Sequence, residues 1–145
     1  MKSNSLRLAL LSLVFFCGCA SMKAGSEVVY GRRALLGGDN ETALGYFQSA
    51  LQVDPTYKYG TAYQQGLLSY VGRTEYLTGR LPQARDTLQK SLAANQDEGI
   101  ARIYLGLTLI RTDNREAGLK DVEAGMMIKV RRAIQSTLHS RLRPT

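Results

Sequence analysis

Apolar and polar residues follow one another along this chain with the period of amphipathic helices. Ala43, Leu44, Phe47, Ala50 and Leu51 form one apolar stripe on an otherwise polar segment. Asn40 stands ahead of it as a natural N-cap, and Pro55 stops it. Phe47 is the one large side chain of the stripe, between the small Ala43 and Ala50, so a second helix is expected close against it. The stripe returns as Ala84, Leu88, Ser91 and Leu92, and again as Gly118, Leu119, Val122, Gly125 and Met126. Twelve residues ahead of Ala43, Ala84 and Gly118 stand Gly31, Gly72 and Gly106, each in a helix-like run of its own. Turn-forming residues intervene at 37–40, 79–82 and 112–115. The pattern predicts an all-α chain of helix–turn–helix units. Thirty-four residues separate Gly72 from Gly106, and forty-one separate Gly31 from Gly72. The extra seven amount to about two helical turns. They predict a first helix of the second unit that begins early, near Thr56 or Tyr57.

These units resemble tetratricopeptide repeats, over residues 26–126. Ala43, Phe47, Ala50 and Pro55 match the small–aromatic–small–proline pattern of that family's second helix, and Gly31, Gly72 and Gly106 match the small residue of its first. The period of 34 is the family's own. The signature tryptophan is absent, and Gln96 and Val130 stand where a terminal proline is usual. The resemblance implies about three units in a short right-handed superhelix, with a concave groove lined by the first helix of each unit. Transferred by phase, the groove receives Arg32 and Leu35, then Ser69, Arg73 and Tyr76, then Ile103. Leu107 and Ile110 either continue it or pack on neighbouring helices. The resemblance implies a protein or peptide partner in that groove, and the mixed lining suits a peptide with an acidic and an apolar part.

Residues 127–145 are periodic as well. Met127, Val130, Ala133, Ile134, Thr137, Leu138 and Leu142 share a face, with Lys129, Arg132, His139 and Arg143 opposite. A repeat array needs an end with a polar outer surface, so this segment is expected as a basic amphipathic capping helix. It contains five basic residues and no acid, which concentrates the positive charge of the chain, formally +7, at this end. Arg131, Arg132, Arg141 and Arg143 are the residues expected to meet anionic lipid.

The first eighteen residues have the order of a secretory signal: basic Lys2 and Arg7, an apolar run from Leu8 to Phe16, then small residues. The run is shorter than the ~20 residues that span a bilayer. Phe16-Cys17-Gly18-Cys19 resembles the lipobox of bacterial lipoproteins, with Phe16 and Cys17 where the family prefers leucine and alanine or serine. The resemblance implies cleavage after Gly18 and attachment of fatty acyl chains, palmitate among them, through Cys19. A plain secretory signal cut near Ala20 is the other reading. Ala20 after the cysteine implies sorting to the outer membrane, so the lipid anchor belongs on its periplasmic face. Residues 19–25 then form the lipidated start and a short tether.

No catalytic constellation stands out. His139 is the one histidine, and it sits among basic residues. Asp97 and Glu98, like Asp121 and Glu123, are expected as cap and surface charges. No metal set, phosphate loop or cofactor motif is recognisable, and export makes nucleic acid an improper partner. The reading is of a non-catalytic interaction adaptor or scaffold in cell-envelope assembly, in pilus, secretion or maintenance roles. The alternative is a structural membrane-surface protein held by its lipid and basic helix.

Overall fold

The computed structural model describes residues 21–61, 63–112 and 114–141. The signal segment, Cys19 and Arg143 lie outside them. The chain divides into two compact units, one ending at Tyr57 and one beginning at Lys58.

The first unit is a helix pair. Residues 21–36 form α1 and Asn40–Val53 form α2. Gly38 turns the chain between them at a φ of 83°. The cap of α2 is Asp39, one residue earlier than the sequence suggests, and its Oδ1 accepts from the Thr42 N–H at 3.0 Å. The helix ends at Val53, and Pro55 follows. Phe47 is wholly buried with Ala24, Val28, Ala43 and Ala50. Its ring lies on Gly31, where a Cβ would come within 2.7 Å of a ring carbon. Glycine there brings α1 and α2 together. Residues 22–25, expected as a tether, are instead the opening turns of α1. Ala24 is fully buried and Gly25 faces the Tyr57 hydroxyl, so the segment is fixed by packing.

The second unit opens with a short hairpin, β1 (Lys58–Tyr59) and β2 (Gln65–Gly66), in which Lys58 pairs with Gly66 and Tyr59 with Gln65. The helices α3 (Leu67–Leu77), α4 (Leu81–Ala94), α5 (Gly99–Arg111) and α6 (Arg115–Arg141) follow. The seven extra residues are therefore not an early helix start. Gly60 takes a φ of 124°, where a side chain would collide with the Tyr63 carbonyl. The tyrosines at 57, 59 and 63 favour extended backbone, and α3 begins only at Leu67.

Glycine sets the spacing here too. A Cβ on Gly72 of α3 would reach 2.6 Å from Leu88 of α4. Between α5 and α6 both partners are glycine: a Cβ on Gly106 or Gly118 would stand 2.5 Å from the other's carbonyl oxygen. Gly99 and Gly125 repeat the contact one heptad away. The Arg102–Asp121 ion pair, at 3.2 Å, ties the same helices, so Asp121 is an interhelical partner and not only a surface charge. Ala84, Leu88, Ala101, Leu105 and Leu109 form a buried cluster in this unit.

The helix α6 runs through Met126 and Met127 without a break, so the expected boundary between third repeat and capping helix is not one. The expected orientation of the segment is also reversed. Met127, Val130, Ile134 and Leu138 are each more than half exposed, and the face that turns inward is the one bearing Arg132.

Glu75 lies buried in α3 at 6% exposure. Burial pushes its carboxyl above the usual range, against the opposing bond from Thr87, and its Oε2 has no hydrogen-bond partner. Its ionised form thus costs folding free energy at neutral pH, and the cost lifts as pH falls through the raised folded value. Glu75→Gln should raise the thermal midpoint at neutral pH, with the gain vanishing below the ordinary glutamate range, near pH ~4. For the first unit, Phe47→Ala should cost about 3–5 kcal/mol in denaturant titration.

Candidate peptide-binding site

Arg73 and Tyr76 lie one turn apart on α3 and share a face. Tyr104 and Arg111 lie two turns apart on α5. The close packing of these helices interleaves the four side chains. The Arg111 guanidinium lies over the Tyr76 ring at 5.2 Å. Tyr76 meets Tyr104 edge-on at 5.5 Å between centroids. The Arg73 guanidinium lies over Tyr104 at 5.4 Å. The result is a ladder of cation, ring, ring and cation. Tyr76 and Tyr104 are partly buried against the apolar cluster, which fixes the rungs.

Neither arginine is ion-paired among the described residues, and the Arg73 Nε is buried with no acceptor. Among the described residues, two guanidinium charges therefore bracket the ladder without a paired acid. Cation–π contact offsets part of the desolvation of each, while their outer N–H groups stay suited to a carboxylate.

Within the second unit, the other expected groove residues do not join this pair. Ser69 is fully buried and accepts a 2.9 Å hydrogen bond from Gln65 Nε2, so a partner does not reach it. Ile103 packs on Gly125 of α6, and Ile110 on Gly118; both belong to the helix interface. Arg32 is exposed and Leu35 half-buried on α1 of the first unit. Tyr104 and Arg111, the missing half of the ladder, were not among the expected residues. Their seven-residue spacing on an otherwise apolar helix is the signal that marks them.

A second polar group fixes the hairpin. Glu98, 2% exposed, accepts from the Gly66 N–H at 3.0 Å and from the Tyr63 hydroxyl at 3.2 Å. It is therefore a buried structural acceptor, not a surface charge. Burial, with the Glu98 charge second, raises the Tyr63 phenol to about 12, and Arg132 opposes the shift. Arg132 stacks on that ring at 4.2 Å. It is half-buried and committed to the hairpin, unlike the exposed Arg131 and Arg141. Tyr63 and the facing side of α6 line an open groove of about 1070 Å³ that includes Lys129, Ser136 and His139. No cluster of three or more metal-binding side chains occurs among the described residues.

No protein-family model matches the chain, and no curated protein matches it. Solved structures do. The first tetratricopeptide domain of Spaghetti (RPAP3), bound to the HSP90 peptide SRMEEVD, superposes with a TM-score of 0.62 at 17% identity, covering 74% of this chain and 80% of that one. The Arabidopsis OM64 tetratricopeptide domain gives a TM-score of 0.65 at 10% identity, covering 85% of this chain and 99% of that one. The chain thus has the all-α helical-repeat fold of tetratricopeptide domains.

Proposed function

We propose that the protein is a non-catalytic adaptor that binds an acidic peptide segment of a partner at the Arg73–Tyr104–Tyr76–Arg111 ladder. The observation that carries this reading is the pair of guanidiniums held on the Tyr76 and Tyr104 rings with no ion-pair partner among the described residues. A carboxylate docked there gains charge-assisted hydrogen bonds from groups already held in place. Arginine and tyrosine are also the residue types that most often dominate binding energy. The peptide in the Spaghetti complex is itself acidic, with three carboxylate side chains in its sequence, which supports the class of ligand.

The lipobox-like Phe16-Cys17-Gly18-Cys19 supports a lipid anchor at Cys19, and Ala20 supports an outer-membrane location on the periplasmic face. The adaptor then serves an envelope assembly. Cys19 stands two residues before the helical Ser21, a span of at most ~7 Å. An anchor there holds the start of α1 close to the bilayer.

Two measurements test the reading. Titration calorimetry with the peptide SRMEEVD should show salt-sensitive binding, and replacing both Arg73 and Arg111 by alanine should cost about 2 kcal/mol or more while circular dichroism is unchanged. Binding indifferent to the double replacement would remove the ladder from the site. Mass spectrometry of the mature N-terminus should find acylated Cys19, and Cys19→Ser should abolish the acylation and leave any residual membrane attachment salt-sensitive.

A further inference from the structure

The outward face of α6 has no role in the adaptor reading. Met127, Val130, Ile134 and Leu138 fall within about 80° of one another on the helix, with Met126 beside them, and all five are more than half exposed. The inward side is taken by Gly118, Gly125 and Arg132, whose contacts with α5 and Tyr63 fix the roll of the helix. The ridge cannot turn inward without losing those contacts. It extends along ~20 Å of helix. Exposed Arg141 lies in line with it at the far end, and exposed Arg131 borders it. No aspartate or glutamate follows Glu123 in the sequence.

We infer that this ridge docks on an anionic lipid surface, independently of the peptide site and of the Cys19 anchor. The apolar side chains enter the boundary between headgroups and acyl chains, and Arg131 and Arg141 meet the phosphates. Charge decides against a second copy of the chain. Pairing two ridges brings two acid-free basic segments together, and five residues per side fall far short of the ~20–30 of a stable interface. A bilayer surface needs neither shape complementarity nor area of that kind. It supplies the negative charge that the ridge's borders lack.

The chain contains no tryptophan, so one introduced on the ridge reports its surroundings alone. In full-length protein carrying C19S, Ile134→Trp is compared with Ser136→Trp on the opposite face. The vesicles contain equal parts phosphatidylglycerol and phosphatidylcholine, with brominated acyl chains as quencher. The Ile134→Trp emission should shift to the blue and be quenched, the Ser136→Trp emission should not, and salt should weaken the effect. Adding Arg131→Gln and Arg141→Gln should reduce vesicle affinity about tenfold or more. Ile134→Trp emission that ignores anionic vesicles overturns the proposal. So does a blue shift that grows with protein concentration without vesicles, since it assigns the ridge to a second copy.

Discussion

The three helical hairpins, α1–α2, α3–α4 and α5–α6, each depend on a missing side chain at their crossing. Where α1 meets α2, Gly31 leaves room for the Phe47 ring, and where α3 meets α4, Gly72 leaves room for Leu88. In both pairs one bulky group fills the space that glycine opens, so the contact gains apolar burial as well as proximity. Between α5 and α6 the arrangement goes a step further. Gly106 faces Gly118 and Gly99 faces Gly125, and the two backbones meet directly. Such a contact gains close van der Waals packing and leaves little freedom for the helices to slide. The cost is the weaker helix propensity of four glycines, which tertiary packing has to offset.

The ladder on α3 and α5 is a consequence of that spacing. Its four side chains are long, and they interleave only because their helices are held near each other by the shared cluster around Leu88 and Leu105. Once Tyr76 and Tyr104 are set edge to face, each outer ring face accepts a guanidinium, and the positions of Arg73 and Arg111 follow. A ligand meeting this array need not order it, so little conformational entropy is lost on binding.

Much of the fold could be read from the sequence. The helical stripes, the glycines of the crossings, the burial of Phe47 and the turn regions all rest on local periodicity, and the structure has them. What could not be read involves non-local terms. The hairpin at 58–66 depends on Glu98, thirty-two residues away from Gly66, turning inward to accept its N–H. Glu98 does stand at the N-cap position of α5, but nothing in the local pattern shows that its side chain leaves the helix end for the hairpin. For the candidate site, phase transfer found Arg73 and Tyr76 but chose Ile103 on α5 and left Ile110 open. One residue of phase is about 100° of rotation. That is enough to exchange the side facing α3, with Tyr104 and Arg111, for the side facing α6. The period of a repeat fixes where helices lie more securely than how far each is rolled.

Roll is also what sets the character of α6. Periodicity alone shows an apolar and a basic face on its second half, and either could point inward. In the first half the glycines at 118 and 125 must face α5, because no other residue allows the backbones to approach. Since the helix is continuous, that choice propagates along the rod at 100° per residue and brings Arg132 over Tyr63. Stacking then holds a charged residue at a position where burial of an apolar one would be expected. The Tyr63 hydroxyl, raised to about 12, remains a donor to Glu98 throughout the neutral range. An apolar ridge facing outward is the geometric complement of this basic face, imposed by the glycine contacts earlier in the same helix.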